Sequence, residues 1–321
     1  MDVARQVLEA DGRIRPQVRE TPVDFSPCLS QAGQCRVHLK LENLQSTGSF
    51  KLRGALNKLL SLSEAERRRG IVTASSGNHG AAVAYLLQEF NCPGRIYLLE
   101  NAAPAKVEAL RSYGAELTFV GTDCLQAELR AKKEAGERSQ VYVSPYNDPA
   151  VVGGQGTVGL ELARQVAGLE AVLVPVGGGG LIAGLAGYLK SVRDSIEIIG
   201  CQPENSAVMV ESLRAGRILN LDSKPTLSDG TAGGIEPGAI TFELCRRWVD
   251  DFVLVTEDEI KAALRLILEK HHMLIEGAAA LSVAAFLKAG TRFKGRSVAL
   301  VLSGARLGLP DLQEVLRTAA G

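Results

Sequence analysis

Ala171-Val172-Leu173-Val174-Pro175-Val176-Gly177-Gly178-Gly179-Gly180-Leu181-Ile182-Ala183 decides the architecture. Its first six residues are a continuous apolar run, as expected of a strand buried on both faces. Leu181 to Ala186 reads as the start of a helix. Strand, turn and helix in that order point to a parallel sheet, whose ligand loops lie at the carboxyl ends of its strands. Glycine weakens regular structure, so four in a row between two regular elements signal close backbone approach to a ligand. The helix start supplies N–H donors and a positive dipole, which suits an anion. A flexible turn is the competing reading. Gly178-Gly179-Gly180-Leu181-Ile182-Ala183 also loosely mimics a dinucleotide fingerprint, but no acidic residue clearly ends the following strand where a ribose would need it.

The same strand–loop–helix logic recurs outward from this stretch. Gly70-Ile71-Val72-Thr73-Ala74-Ser75 is a β-branched run, then comes polar Ser76-Gly77-Asn78-His79-Gly80, then the apolar helix from Ala81 to Leu87. Arg95–Leu99, Glu116–Val120 and Gln140–Ser144 read as further strands, with helices from Pro104 to about Tyr113 and from Cys124 to Glu137 between them. Alternating strands and helices imply a small parallel sheet covered by helices. In the second half, a helix opens at Gln155-Gly156-Thr157, and strands follow at Ile196–Cys201, Phe252–Val255 and Ser297–Leu302. Thr256-Glu257-Asp258-Glu259 resembles a capping box for a helix from about Ile260 to Met273. Residues from Asp2 to about Arg19 read as one amphipathic helix broken at Thr21-Pro22. Ser303-Gly304 sits at the carboxyl end of the last strand, where a third ligand loop is expected.

Upstream, Val37–Leu41 alternates as a strand. Ser46-Thr47-Gly48-Ser49-Phe50-Lys51-Leu52-Arg53-Gly54 then turns into a helix running to about Leu62. Any of residues 46–49 has the chemistry of an N-cap. Lys51 lies at a helix start beside an aromatic ring. Desolvation and the helix dipole both disfavour its ammonium there. A neutral amine is what a Schiff base needs, although a lone first-turn lysine is more often solvated.

Composition excludes several classes. The 321 residues carry 36 basic and 36 acidic side chains, so no charge imbalance argues for nucleic acid or an anionic membrane surface. No apolar stretch approaches the roughly 20 residues of a membrane span, and the N-terminus lacks the pattern of a signal peptide. Six scattered cysteines without a CxxC pair suit reduced thiols, and with four histidines a zinc site is not expected. A cytoplasmic location is therefore expected.

Ser49-Phe50-Lys51-Leu52-Arg53-Gly54, Ser75-Ser76-Gly77-Asn78-His79-Gly80 and Gly177–Gly180, in this order and spacing, resemble the pyridoxal-phosphate enzymes of fold type II. The branch is that of serine/threonine dehydratases and serine racemases, and the likeness runs from about Arg15 to Gly304. Gly233-Gly234-Ile235-Glu236-Pro237-Gly238-Ala239-Ile240 also resembles a dehydratase subgroup associated with hydroxyectoine breakdown.

The resemblance implies two doubly wound α/β domains with the cofactor between them. Residues 1–63 and 143–321 would form the large cofactor-binding domain, and 64–142 the small substrate-loop domain. Lys51 would hold pyridoxal 5'-phosphate as a Schiff base and later move the Cα proton. Phe50 would pack on the cofactor ring, Asn78 would bond its hydroxyl, and Gly177, Gly178, Gly179 and Gly180 would bind its phosphate. Ser303 would face the pyridine nitrogen, where a neutral hydroxyl favours loss of a β-leaving group over transamination. Ser75, Ser76, Gly77 and His79 would hold the substrate carboxylate, and Ser76 would be the opposite-face base if the enzyme racemised. The implied reaction is deamination of L-threonine or L-serine by β-elimination to a 2-oxo acid and ammonia. A serine or aspartate-type racemase and a 3-hydroxyaspartate dehydratase are the alternatives, and a homodimer is implied.

Two departures stand out. The family has Gly-Gly-Asn after the ring-nitrogen residue, whereas Ser303 is followed by Gly304-Ala305-Arg306. The racemase cation site would fall on Gln202, Ser206 and Val208, which supply too few anionic ligands, so no metal is expected. No regulatory domain is expected either.

Overall fold

The computed structural model describes residues 1–122 and 124–317. Ten strands form two sheets: β1 Val23–Phe25, β2 Arg36–Lys40, β3 Ile71–Ala74, β4 Gly94–Leu98, β5 Glu116–Phe119, β6 Val141–Tyr142, β7 Ala171–Pro175, β8 Glu197–Pro203, β9 Asp251–Val255 and β10 Ser297–Val301. The larger sheet has the order β1-β2-β10-β7-β8-β9, parallel throughout except for the antiparallel β1–β2 edge. The smaller sheet, β5-β4-β3-β6, is wholly parallel.

The apolar run that marked β7 is explained by two cores. Val172 and Val174 pack with Val158 and Leu185 on one face, while Ala171 and Leu173 pack with Ala280 and Phe286 on the other. Helices therefore cover both faces of the larger sheet, as parallel sheets require.

Three sequence expectations shift. The first helix ends at Ile14 rather than near Arg19: Arg15 still has helical backbone, but Pro16 has no N–H to continue the ladder and its ring crowds the carbonyl one turn back. The helix expected from Gln155 begins earlier and spans Pro149–Gln165, with Asp148 accepting from the Ala150 and Val151 amides. Its internal glycines serve packing: a Cβ on Gly154 would lie 2.5 Å from the Arg53 carbonyl oxygen. None of residues 46–49 caps the Lys51–Ser61 helix, whose N-cap position is Phe50 without a side-chain cap bond. The capping box at Thr256 and Glu259 is formed. The helix Gly277–Lys288 has no apolar stripe to detect, since Gly277 through Phe286 are all buried.

Candidate active site

The carboxyl ends of β3, β4, β7 and β10 from both sheets converge on one region. A cavity of about 390 Å³ is lined by Lys51, Ser75–His79, Tyr146, Gly177, Thr231, Glu276 and Arg306, among others. A narrower adjoining space, lined by Phe50, Lys51, Asn78, Gly177–Gly180 and Ser303, runs beneath it. The structure thus brings together every site residue singled out in the sequence.

Lys51 is placed by a pinned loop. Phe50 N donates to the Ser303 carbonyl at 3.1 Å, and Ser49 bridges Gly304, so the turn before the helix is tied to the end of β10. Lys51 Nζ donates to the Pro145 carbonyl at 2.9 Å and lies 5.3 Å from the Phe50 ring centroid. Burial drives its pKa down to about 8, against a weaker opposing pull from Glu128 and Glu276.

The tetraglycine forms a cradle that admits only backbone. A Cβ on Gly178 would lie 2.4 Å from the Tyr146 ring, and one on Gly177 would lie 3.0 Å from Thr231 Cα. Gly179 has φ +85° and is the N-cap of the Gly180–Val192 helix. Thr241 Oγ1 donates to the Gly178 carbonyl at 2.7 Å and fixes the loop. The free first-turn N–H groups of that helix face an anion-sized space.

The Ser75–His79 loop is the second helix start, with Gly77 as N-cap of Asn78–Glu89. Its imidazole is not a carboxylate donor: His79 Nε2 contacts the Val143 carbonyl at 3.1 Å. Burial, then the Lys51 charge, holds that ring neutral, with a pKa of about 3. Asn78 Nδ2 donates to both Glu276 oxygens at 2.8 Å, and Asn78 Oδ1 is buried without a partner.

Residues 14–304 match the family model described as pyridoxal-phosphate dependent enzyme. The chain belongs to that family. It is 41% identical over 319 residues to the L-threonine ammonia-lyase of Thermotoga maritima, covering 98% of this chain and 78% of that protein. Threonine deaminase isoform 2 from Solanum lycopersicum superposes with a TM-score of 0.92 at 31% identity, covering 99% of this chain and 94% of that one. Maize serine racemase superposes at 0.90 with 31% identity, covering 98% and 97%. The cofactor of this enzyme is thus pyridoxal phosphate, and the residues present fit it. The glycine cradle suits a phosphate, and the orphaned Asn78 Oδ1 lines the same space as a buried polar atom without a partner among the described residues.

Sequence reasoning missed Glu276. It is buried, accepts from Asn78 and from the Arg306 amide, and burial raises its pKa to about 7. The only signal was an acid directly before an apolar helix, at Ile275-Glu276-Gly277. Tyr146, which walls the cradle and accepts from the Glu236 amide at 2.8 Å, carried no local signal at all. Arg53, quoted only as part of the lysine motif, anchors a buried charge cluster with Glu42, Glu161 and Lys40. At the racemase cation positions, Gln202 Oε1 accepts from the Val210 amide and Ser206 Oγ bonds Ser223 Oγ. Among the described residues no group of three or more His, Cys, Asp or Glu is placed to hold a metal ion.

Proposed function

We propose that the enzyme deaminates L-threonine or L-serine by β-elimination, giving a 2-oxo acid and ammonia. The observation that carries this is Lys51: its amine, tied to the Pro145 carbonyl and lowered in pKa by burial, lines one cavity together with the Ser75–His79 helix start. Pyridoxal phosphate, when bound, supplies the electron sink that makes the substrate α-proton acidic. Lys51 would hold the cofactor, and its Nζ is the group that would take that proton. Ser75, Ser76, Gly77 and the backbone at His79 hold the α-carboxylate. Asn78 would meet the ring hydroxyl, Phe50 would pack on the ring, and Gly177–Gly180 would take the phosphate. Ser303, a buried neutral hydroxyl, would serve the ring nitrogen without a carboxylate to keep it charged.

The small domain at 64–142 carries the carboxylate loop, and the large domain supplies the lysine and cradle. We infer a homodimer in a reducing, cytoplasmic setting, in keeping with six free cysteines. The test is ammonia and 2-oxo acid release from L-threonine and L-serine, with chiral analysis of the unreacted amino acid. Racemisation of L-serine faster than pyruvate formation, stopped by Ser76→Ala, would replace this reading with a racemase.

A further inference from the structure

Among the described residues, Arg306 has no anionic partner. Its amide donates to Glu276 Oε2 at 3.3 Å and its Nε to the Thr47 carbonyl at 3.3 Å, so both ends of the side chain's root are held. Among the described residues, no carboxylate forms an ion pair with its guanidinium, whose contact with the protein is made by Nε and not by the Nη atoms. The residue nevertheless lines the active-site cavity. The other cations there are accounted for. Lys106 is paired with Asp229, and Lys51 serves the chemistry. Burial moves Glu276 toward its neutral form, so it does not offset the guanidinium fully.

A half-buried arginine that lines a cavity, with Nη donors that have no carboxylate partner among the described residues, is suited to a carboxylate, which a guanidinium grips through two parallel bonds. The α-carboxylate already has the helix start at Ser75–His79. A further anion on the ligand is the group left to recognise. The cavity is also lined by Gly233 and Gly234, which stand beside Cys124 and Leu125; a Cβ on Gly234 would lie 3.1 Å from Leu125 Cδ2.

We propose that Arg306 is a specificity-determining residue that binds a second carboxylate on the substrate side chain, so that the site also accepts dicarboxylic β-hydroxy amino acids beside threonine and serine. This rests on the amino-acid site proposed above. The test is calorimetric titration of the cofactor-loaded protein with L-aspartate and L-alanine, which lack a β-hydroxyl leaving group and so report binding. The wild type should bind L-aspartate about 10- to 100-fold more tightly than L-alanine, the range of charge-assisted hydrogen bonds. That ratio should fall to near one in Arg306→Asn and in Arg306→Gln, and survive in part in Arg306→Lys. A ratio near one in the wild type, or an equal loss for both ligands in the variants, overturns the proposal, the latter by assigning Arg306 to the α-carboxylate. Preference for L-aspartate without turnover of any β-hydroxy amino acid would sink the elimination reading and leave this one standing. Turnover of L-threonine without the preference would do the reverse.

Discussion

Lys51 and Arg53 stand two residues apart on one helix, both removed from water, and they meet opposite fates. Arg53 is saturated. Its Nε and Nη2 donate to Glu42 at 2.8 Å, its Nη1 donates to Glu161 at 2.7 Å, and Glu161 also takes Lys40 Nζ at 2.6 Å. Burial alone would push the Glu161 carboxyl up, but Arg53 and Lys40 overcome it and hold the group down at about 2. Lys51 is given a carbonyl and an aromatic ring instead of a contacting carboxylate, and burial wins. Desolvation acts alike on both groups; the partner decides whether a buried charge is locked or released. The locked cluster holds the helix, and the released amine is free for chemistry.

The largest expected effect comes from breaking the reactive half. Lys51→Ala removes nucleophile and base together, and the elimination rate should fall by about 10⁴-fold or more. The melting temperature of the cofactor-free protein should hold or rise, since a desolvated amine is lost. A variant that keeps more than a tenth of the rate would remove Lys51 from the chemistry.

Breaking the structural half should instead cost stability. Arg53→Met leaves Glu42 in a dry interior without its cation, while Glu161 keeps Lys40 and Arg15; removing one partner of a buried ion pair costs about 3 to 5 kcal/mol. Denaturant titration measures this. A loss under about 1 kcal/mol would mean that the cluster is not the anchor described here.

Glu276 sharpens the contrast, because it is an acid pushed toward neutrality as Lys51 is a base pushed the same way. Glu276→Gln keeps the shape but sets an amide donor against Asn78 Nδ2 or the Arg306 amide, so cofactor affinity should drop about 10-fold by equilibrium dialysis. The sign of its pH effect follows from its raised pKa. The folded protein binds more protons than the unfolded chain between 4.5 and about 7. The stability from this group is therefore full below 4.5 and is lost as pH rises through about 7. In cofactor-free protein, Glu276→Gln should flatten that decline, and an unchanged slope would show that Glu276 does not titrate there.

How much of this was legible follows from where the information is local. The glycine cradle, the β7 run and the Lys51 turn are contiguous in sequence, and each has one physical cause. Two positions were misread because tertiary packing overrides local pattern: the helix read as opening at Gln155 begins at Pro149, and Ser46–Ser49 offered caps that the β10 contact makes unnecessary. Glu276 meets Asn78 across 198 residues, and Arg53 meets Glu161 across 108, and no local pattern marks such pairs. Arg306 was legible as a departure from the family pattern, whereas its free guanidinium emerged only from the fold.

The smallest effect tests the released amine directly. A lysine captures an aldehyde only as the neutral amine, so the rate at which cofactor-free protein takes up pyridoxal phosphate should follow the neutral fraction of Lys51. An ordinary lysine is protonated until pH 10.5, but burial lowers this one to about 8. Raising the pH from 7 to 8 should therefore increase uptake severalfold, and the curve should level off near pH 9. An uptake rate still climbing tenfold per unit between pH 9 and 10 would mean that Lys51 is as solvated as Lys133 on the surface, and the difference between the two faces of this helix would then be one of geometry and not of charge.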